Sequence, residues 1–197
     1  DAHPYYFLHR ADLIASLLKA AQDVGVNVSV GKSVDRILPG HPAECALTTG
    51  EKLSADLIIS SDGLHSVGRK ALNGTSAPFF TRQVAWRAVV PNVIDHPNVA
   101  RVHMAPKRHV VSYPLRDGSA VNLVAVQEQA EWTDEGWAQR DDPENMKTVF
   151  SDFDSSVIKL MNSAQDVGKW GLFRHPVARN WHGDNVALLG DAAHPTL

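Results

Sequence analysis

Residues 186–195 read Val-Ala-Leu-Leu-Gly-Asp-Ala-Ala-His-Pro, an apolar run that stops at a Gly-Asp pair and continues in small residues. A continuous apolar run is typical of a buried parallel strand, and ligands of open α/β sheets bind beyond the carboxyl ends of such strands. Asp191 is placed there to accept hydrogen bonds from a polyol. Ala192 and Ala193 allow a helix to begin close to a ligand. Capping of a helix by Asp191 is the alternative interpretation.

A second junction between an apolar strand and an acidic residue lies upstream. The segment 55–60 predicts a buried strand, and Asp62-Gly63 follows it directly. On its own, Asp-Gly marks a common turn. The spacing that follows is more specific, because Ser66 lies three residues after the glycine and Arg69 three residues after that serine.

The two junctions together resemble the "DG" and "GD" motifs of the aromatic-ring flavoprotein monooxygenases, the group of the salicylate and 3-hydroxybenzoate hydroxylases, and they occur in that family's order. The resemblance extends to His9-Arg10, because the family places an arginine that reaches the flavin at the start of its first helix here. It implies FAD as the cofactor, with Val34 offering backbone groups to the adenine. The cofactor-binding residues implied by the resemblance are Arg10, Val34, Asp62, Gly63, Gly190 and Asp191.

The resemblance also implies the fold, an α/β (α+β) architecture. A Rossmann-like, three-layer FAD-binding domain, incomplete in this sequence, would occupy 1–78 and 179–197. An inserted, mainly antiparallel β-sheet domain would occupy 79–178 and bind the substrate. The opening strand–GxGxxG–helix unit of the family is not in this sequence, and the family continues past its His-Pro. We therefore expect an internal segment of a longer enzyme.

Hydrophobic periodicity gives the expected elements. Apolar residues recur at helical spacing over 9–24, and further helices are predicted at 65–72 and in a region that ends near 162. Segments rich in Val, Trp and Tyr, separated by Pro and Gly, predict a second, mostly antiparallel sheet. The predicted strands are 26–30, 33–38, 44–49, 55–60, 84–90, 99–104, 108–115, 119–127 and 169–177.

Within the second sheet, the segment His-Val-Val-Ser-Tyr-Pro at 109–114 is the best candidate for a substrate wall. His109 and Tyr113 are four residues apart, which places both side chains on one face of a strand, about 13 Å apart. Relatives that hydroxylate phenolic acids carry a histidine in this place. The resemblance therefore implies that His109 takes the phenol proton and that Tyr113 positions the substrate. A surface histidine at a strand start is the alternative.

Two arginines have less specific assignments. Arg87 follows Trp86 and can offer a bidentate fork to a substrate carboxylate. We favour a structural role for it, because strand arginines commonly cover apolar surface with their stems. The family has no separate domain for the nicotinamide nucleotide, and the resemblance makes Arg69 a candidate to receive it.

The reaction implied by the resemblance has two halves. NADH or NADPH reduces the FAD, and dioxygen then forms a flavin hydroperoxide that delivers one oxygen atom to the activated ring. The partners are a small aromatic acid and dioxygen, and a homodimer is compatible with the family. Three alternatives stay open. The same scaffold can serve an epoxidase, a halogenase, a urate-type hydroxylase or a quinone-pathway hydroxylase. The second alternative is a non-catalytic flavoprotein, and the third is a non-flavin α/β protein with coincidental turns.

Composition limits the function classes further. The chain is 44% hydrophobic and 21% charged, with a net charge of −3, which is typical of a soluble cytoplasmic protein. No apolar run is long enough to span a membrane, and the mildly acidic balance argues against nucleic-acid binding. The single Cys45 excludes an internal disulfide, and the ten histidines show no metal-ligand spacing, so we predict no metal site.

Overall fold

The protein is described by a computed structural model that covers residues 5–132 and 139–196. Contacts between Cα atoms divide the chain into two compact units. The sheet unit comprises Asp1–Val26 and Phe80–Leu172, and the motif unit, named for its two acidic motifs, comprises Asn27–Phe79 and Phe173–Leu197.

The described residues form the following helices and strands. The helices are α1 (Arg10–Asp23), α2 (Val67–Asn73), α3 (Pro143–Val149) and α4 (Ser155–Asn162). The strands are β1 (Val34–Leu38), β2 (Ala43–Leu47), β3 (Lys52–Ala55), β4 (Ile58–Ser60), β5 (Phe79–Pro91), β6 (Arg101–Ala105), β7 (Arg108–Leu115), β8 (Ala120–Glu128), β9 (Arg140–Asp141), β10 (Val167–Arg174), β11 (His182–Gly183) and β12 (Val186–Leu188).

The sheet unit is built on a six-stranded sheet in the order β6-β7-β8-β5-β10-β9. Strand β5 pairs antiparallel with β8, β8 with β7, and β7 with β6. The predicted α/β (α+β) class with a second, antiparallel sheet is therefore confirmed. The unit also contains α1, whereas the predicted ranges 1–78, 79–178 and 179–197 group that helix with the acidic motifs. Those ranges stay a prediction.

The main core of the sheet unit lies on one face of this sheet, and a smaller buried cluster of Ala85, Val126 and Trp170 lies on the other face. Alternate residues of each strand point to opposite faces, and α3 and α4 cover the face that carries Trp86. The Trp86 and Phe150 rings meet edge to face at 5.9 Å. Buried residues of this core include Val84, Trp86, Val90, Val110, Val121, Leu123, Met146, Phe150, Val157 and Leu160. We call the opposite face the open face; it carries Arg87, Val89, His109, Val111, Tyr113, Asn122 and Val124.

The motif unit contains two three-stranded sheets, β1-β2-β3 and β11-β12-β4. The first is antiparallel throughout. In the second, β12 runs parallel to β4, as the apolar run before Gly190 predicts, and β11 pairs antiparallel with β12. Helix α2 packs against both sheets, and Leu72 of α2 joins Ile37 and Val186 in one apolar cluster.

Two predicted features differ from the structure. The strand predicted at 26–30 does not form: its valines are exposed, and no described strand pairs with them. The predicted strand 55–60 is divided between β3 and β4, which belong to different sheets. An alternation of apolar residues identifies a segment that is able to form a strand. Whether the strand forms also depends on a neighbouring strand to pair with, and the local sequence does not show that neighbour.

Helix α1 has nearly the predicted bounds, and its apolar residues recur at the predicted spacing. Its apolar side chains are nevertheless exposed, with Leu13 at 41% and Leu17 at 61%. None of its residues is buried. The local sequence pattern therefore predicts the helix correctly, but the described residues do not bury its apolar side chains.

Replacement of Gly68 by alanine is expected to destabilise the motif unit. A Cβ added at Gly68 would overlap Oγ and Cβ of Ser60, so α2 and β4 must move apart. Overpacking of this kind costs about 1–3 kcal/mol of unfolding free energy. Denaturant unfolding of the full-length protein measures the loss.

Gly183→Ala is the matched control, because a Cβ at Gly183 would meet only Leu72 at an ordinary 3.6 Å. Equal destabilisation by the two substitutions would contradict the close packing of α2 on β4.

Candidate functional site

Two acidic motifs converge at one edge of the motif unit. In the parallel pair of β4 and β12, Leu188 lies opposite Ser60. The amide of Leu189 donates a 2.9 Å hydrogen bond to the carbonyl of Ser60. Both strands end at this point in the same direction, so Asp62 and Asp191 leave the sheet at the same edge. In open α/β sheets this edge is where ligands bind.

The Asp62 carboxylate is held by the backbone and by serines. Its Oδ1 accepts a 2.5 Å hydrogen bond from Ser60 Oγ, and its Oδ2 accepts a 2.8 Å bond from the amide of Val67. Ser66 caps the same helix, α2, by accepting a 2.8 Å bond from the amide of Arg69. Partial burial acts to raise the pKa of Asp62, but the hydrogen bonds from Ser60, Ser66 and the backbone outweigh it, so this pKa lies below its ordinary 3.8.

Asp191 is placed differently. It is exposed in a three-residue 3-10 turn, Gly190–Ala192, and not at the start of a longer helix within the described residues. Across residues 5–132 and 139–196, no hydrogen bond or ion pair occupies its carboxylate. The alternative in which Asp191 serves as a helix cap therefore has no support from these contacts. The carboxylate is available to a ligand.

The other two predicted cofactor-binding residues lie away from this edge. Val34 is the first residue of β1, in the other sheet of the motif unit, and is 36% exposed. Arg10 is the first residue of α1, in the sheet unit, and is exposed. Their predicted contacts with a cofactor stay a prediction.

The two predicted catalytic residues lie together on the open face. His109 and Tyr113 both belong to β7, where they alternate with the buried Val110 and Ser112. Both are half-buried. A pocket of about 440 Å³ adjoins His109 and is lined by Gln83, Val102, Met104, Lys107, Val126 and Glu128.

The ring of Phe7 stacks on the ring of Tyr113, with centroids 4.9 Å apart and an angle of 20° between the planes. Offset stacking of this kind stabilises an aromatic pair beyond its buried area. The sequence contains no local signal for this contact, because 105 residues separate the two rings along the chain. Ser60 was also not identified from the sequence as a hydrogen-bond donor to Asp62. The signal available for it was a hydroxyl side chain two residues before the aspartate.

The structure corrects the assignment of Arg69. Its side chain is buried, with 7% exposure, and its guanidinium donates a hydrogen bond to the carbonyl of Pro176. This places Arg69 in the interior of the motif unit, so it is not a surface residue that receives a nucleotide.

Among the residues with described positions, no group of three or more His, Cys, Asp or Glu side chains is arranged to hold a metal ion. Helices long and apolar enough to cross a membrane are likewise absent from residues 5–132 and 139–196.

Comparison with known proteins agrees with this geometry. The family model described as "FAD binding domain" matches residues 5–197. The chain belongs to this FAD-binding family. FAD is accordingly the cofactor of this family.

Several curated relatives of this FAD-binding chain are named as monooxygenases or hydroxylases of hydroxybenzoates. A 3-amino-4-hydroxybenzoate 2-monooxygenase from Streptomyces cremeus is 34% identical over 98% of the chain and 48% of its own length. A 3-hydroxybenzoate 6-hydroxylase from Klebsiella oxytoca is 30% identical over 98% of the chain and 49% of its own length. The chain thus spans about half the length of the curated relatives it matches.

Solved structures share the fold. A salicylate hydroxylase in complex with its substrate matches with a TM-score of 0.76 and 25% identity, over 94% of this chain and 51% of that one. Klebsiella pneumoniae HpxO, complexed with FAD and uric acid, matches with a TM-score of 0.79 and 22% identity, over 95% of this chain and 48% of that one. The match to HpxO shows only that the two proteins share a fold.

The residues at the β4–β12 edge fit FAD. Gly63 and Gly190 both have positive φ, 78° and 60°, a conformation that glycine adopts without strain. A Cβ added at either glycine would meet no atom within 4 Å, so the backbone is open to close approach. The free carboxylate of Asp191 can accept hydrogen bonds from the hydroxyls of a polyol.

Substitution of Asp62 by asparagine is expected to lower the unfolding free energy by about 1 kcal/mol at neutral pH, because amide oxygens accept the hydrogen bonds of α2 less strongly. A carboxyl with a depressed folded-state pKa stabilises the protein above its unfolded pKa and loses this contribution as pH falls through the folded value. The difference between Asp62→Asn and the parent protein should therefore narrow below about pH 4. Denaturant unfolding across pH measures it.

Asp56→Asn provides the control, since Asp56 is exposed just before β4 and no contact of its carboxylate occurs among the described residues. A difference for Asp62→Asn that is constant with pH would contradict the depressed pKa of Asp62.

Proposed function

We propose that the full-length protein is a FAD-dependent monooxygenase that hydroxylates a phenolic aromatic acid, with NADH or NADPH and dioxygen as co-substrates. The observation that carries the proposal is the placement of His109 and Tyr113 on one face of β7, with His109 beside a pocket, in a chain of the FAD-binding family. Hydroxybenzoate hydroxylases among its relatives support the substrate class.

In this proposal the motif unit holds the cofactor. Asp191 accepts hydrogen bonds from flavin hydroxyls, and Gly63 and Gly190 admit the cofactor close to the backbone. Asp62 acts indirectly, since its oxygens already accept bonds from Ser60 and Val67. Val34 adds the backbone contact with the adenine that the sequence predicts for it. Reduced FAD, with dioxygen, supplies the oxygen atom that is transferred.

The sheet unit prepares the substrate. His109 removes the phenol proton, and the phenolate directs electron density onto the ring carbon that is to be hydroxylated. Histidine suits this step because it exchanges protons near neutral pH. Tyr113 positions the ring, and the stacked Phe7 limits the rotamers that Tyr113 can adopt. Apolar side chains line part of the pocket beside His109, with Val126 buried and Val102 and Met104 exposed.

The proposed function is tested by measuring NADH and NADPH consumption of the FAD-loaded protein with a panel of hydroxybenzoates and hydroxybenzamides, and by separating the products. At least one acid is expected to stimulate consumption and to yield a product with one additional hydroxyl group. Consumption without such a product for every acid, or no stimulated consumption, would contradict the proposed hydroxylation.

His109→Ala is expected to retain FAD and to slow hydroxylation by about 10²–10⁴, the usual effect of losing a general base. Flavin absorbance after desalting and single-turnover product formation measure the two properties separately. The open face keeps its other residues, so substrate binding should change less than turnover.

His103→Ala is the control. His103 lies on neighbouring β6 and pairs with Val110 of β7, so it is on the face of the sheet that carries Trp86 and not on the face of His109. Product formation that is unchanged in His109→Ala, or reduced equally in both variants, would leave His109 without a role as base.

A further inference from the structure

The proposed base, His109, follows a turn that is poorly suited to hold it. The hairpin between β6 and β7 closes through only two residues, Pro106 and Lys107. The turns that match the twist of paired strands, types I′ and II′, require a positive φ at the first of these two residues, but a proline ring fixes φ at about −65°. Lys107 has a φ of 61°, which is unfavourable for residues other than glycine. Arg108 and His109 are also the last two residues that β7 pairs with β8, and the ends of such pairings open most easily.

Arg108 anchors this start of β7 from the other face of the sheet. Its side chain alternates with that of His109, so it points to the face that α3 and α4 cover. The guanidinium donates two parallel hydrogen bonds of 2.8 Å to the Asp152 carboxylate, from Nη1 to Oδ1 and from Nη2 to Oδ2. Nη1 also donates to the carbonyl of Val149, and Cζ lies 5.5 Å from the centroid of the Phe153 ring. The end of α3 and the loop that follows it therefore hold this one side chain.

The ion pair of Arg108 with Asp152 differs from the pair that Arg140 forms with Asp166 in the same unit. The Arg108 side chain is only 23% exposed, whereas those of Arg140 and Asp166 are 70% and 69% exposed. A bidentate and partly buried pair stabilises a fixed geometry better than an exposed contact does. The hydrogen bonds from Arg108 also lower the pKa of Asp152 below its ordinary 3.8, so the carboxylate is ionised at neutral pH.

We propose that Arg108 is a positioning residue, which holds His109 in place beside the substrate pocket through its ion pair with Asp152. Because Arg108 and His109 are consecutive in the strand, a shift of the backbone at Arg108 tilts the imidazole on the opposite face. A displacement of about 1 Å at a reacting group can cost about 100-fold in rate. This assignment rests on the proposed function, because it takes His109 as the base.

Positioning by Arg108 is distinct from direct contact with the substrate, because Arg108 itself adjoins the pocket beside His109. Asp152 allows the two roles to be separated. It lies in the loop between α3 and α4 and does not line that pocket. Removal of its carboxylate releases the guanidinium but leaves every side chain of the pocket unchanged.

The test compares the FAD-loaded full-length protein with its Arg108→Met, Arg108→Lys and Asp152→Ala variants. Steady-state kinetics with a hydroxybenzoate give kcat and KM. NMR of protein labelled at histidine Cε1 gives the resonance of His109, identified by its loss in His109→Ala. Arg108→Met is expected to lower kcat by about 10- to 100-fold, to change KM by less than about 3-fold and to shift the His109 resonance. Asp152→Ala should act in the same direction on all three, and Arg108→Lys should recover part of kcat.

The double variant, Arg108→Met with Asp152→Ala, should be no slower than Arg108→Met alone, because both substitutions remove the same contact. Asp166→Ala is the matched control, since it breaks an Arg–Asp pair at β9, the edge strand far from β7, and should leave kcat and the His109 resonance unchanged.

In an active protein, an unchanged kcat or an unchanged His109 resonance in Arg108→Met and Asp152→Ala would overturn the assignment. A loss confined to Arg108→Met would overturn it as well, because it would indicate direct contact with the substrate. The resonance separates these outcomes from failure of the proposed function: a shift in both variants of a protein that forms no hydroxylated product would refute only the proposed function.

Discussion

The parallel pairing of β4 with β12 is the interaction on which the candidate cofactor site depends. Each strand has only three residues, and most of the sheet unit lies between them in the sequence. Closing a long intervening segment costs free energy that grows slowly with its length, so a few well-packed contacts suffice to offset it. The close approach of Gly68 to Ser60 and the bond from Leu189 to Ser60 provide such contacts. Without this register, the two acidic motifs would leave the sheet at unrelated places.

The two carboxylates at this edge have different surroundings and therefore different roles. Asp62 is engaged by Ser60 and by the first amides of α2, so it stabilises the turn that carries Gly63. Asp191 is exposed and unengaged among the described residues. One carboxylate thus maintains the shape of the edge, while the other can exchange water for a ligand without breaking a protein contact. A pair of similar motifs in the sequence is therefore not a pair of equivalent sites.

The sequence predicted features whose signals are local. The strand 108–115 has the predicted bounds, and Asp62 and Asp191 follow strands that pair in parallel, because apolar runs and turn residues carry this information within a few positions. Contacts between distant segments were not predictable in the same way. The stacking of Phe7 on Tyr113 and the burial of Arg69 against Pro176 both arise from tertiary packing. Arg87 is an intermediate case. Its apolar neighbours predict that its stem covers apolar surface, but they do not predict that it lacks an acidic partner among the described residues.

The main core of the sheet unit lies on one face of the sheet, and this has a consequence for how such a protein can change over time. Residues that determine folding, such as Trp86, Val110 and Phe150, face α3 and α4. The candidate substrate-binding residues His109 and Tyr113 alternate with core residues along the same strand but face away from α3 and α4. Substitutions at exposed positions usually alter stability by only a few tenths of a kcal/mol, whereas core substitutions cost several. Ligand preference is therefore free to diversify at alternate positions of β5, β7 and β8 while the scaffold remains intact.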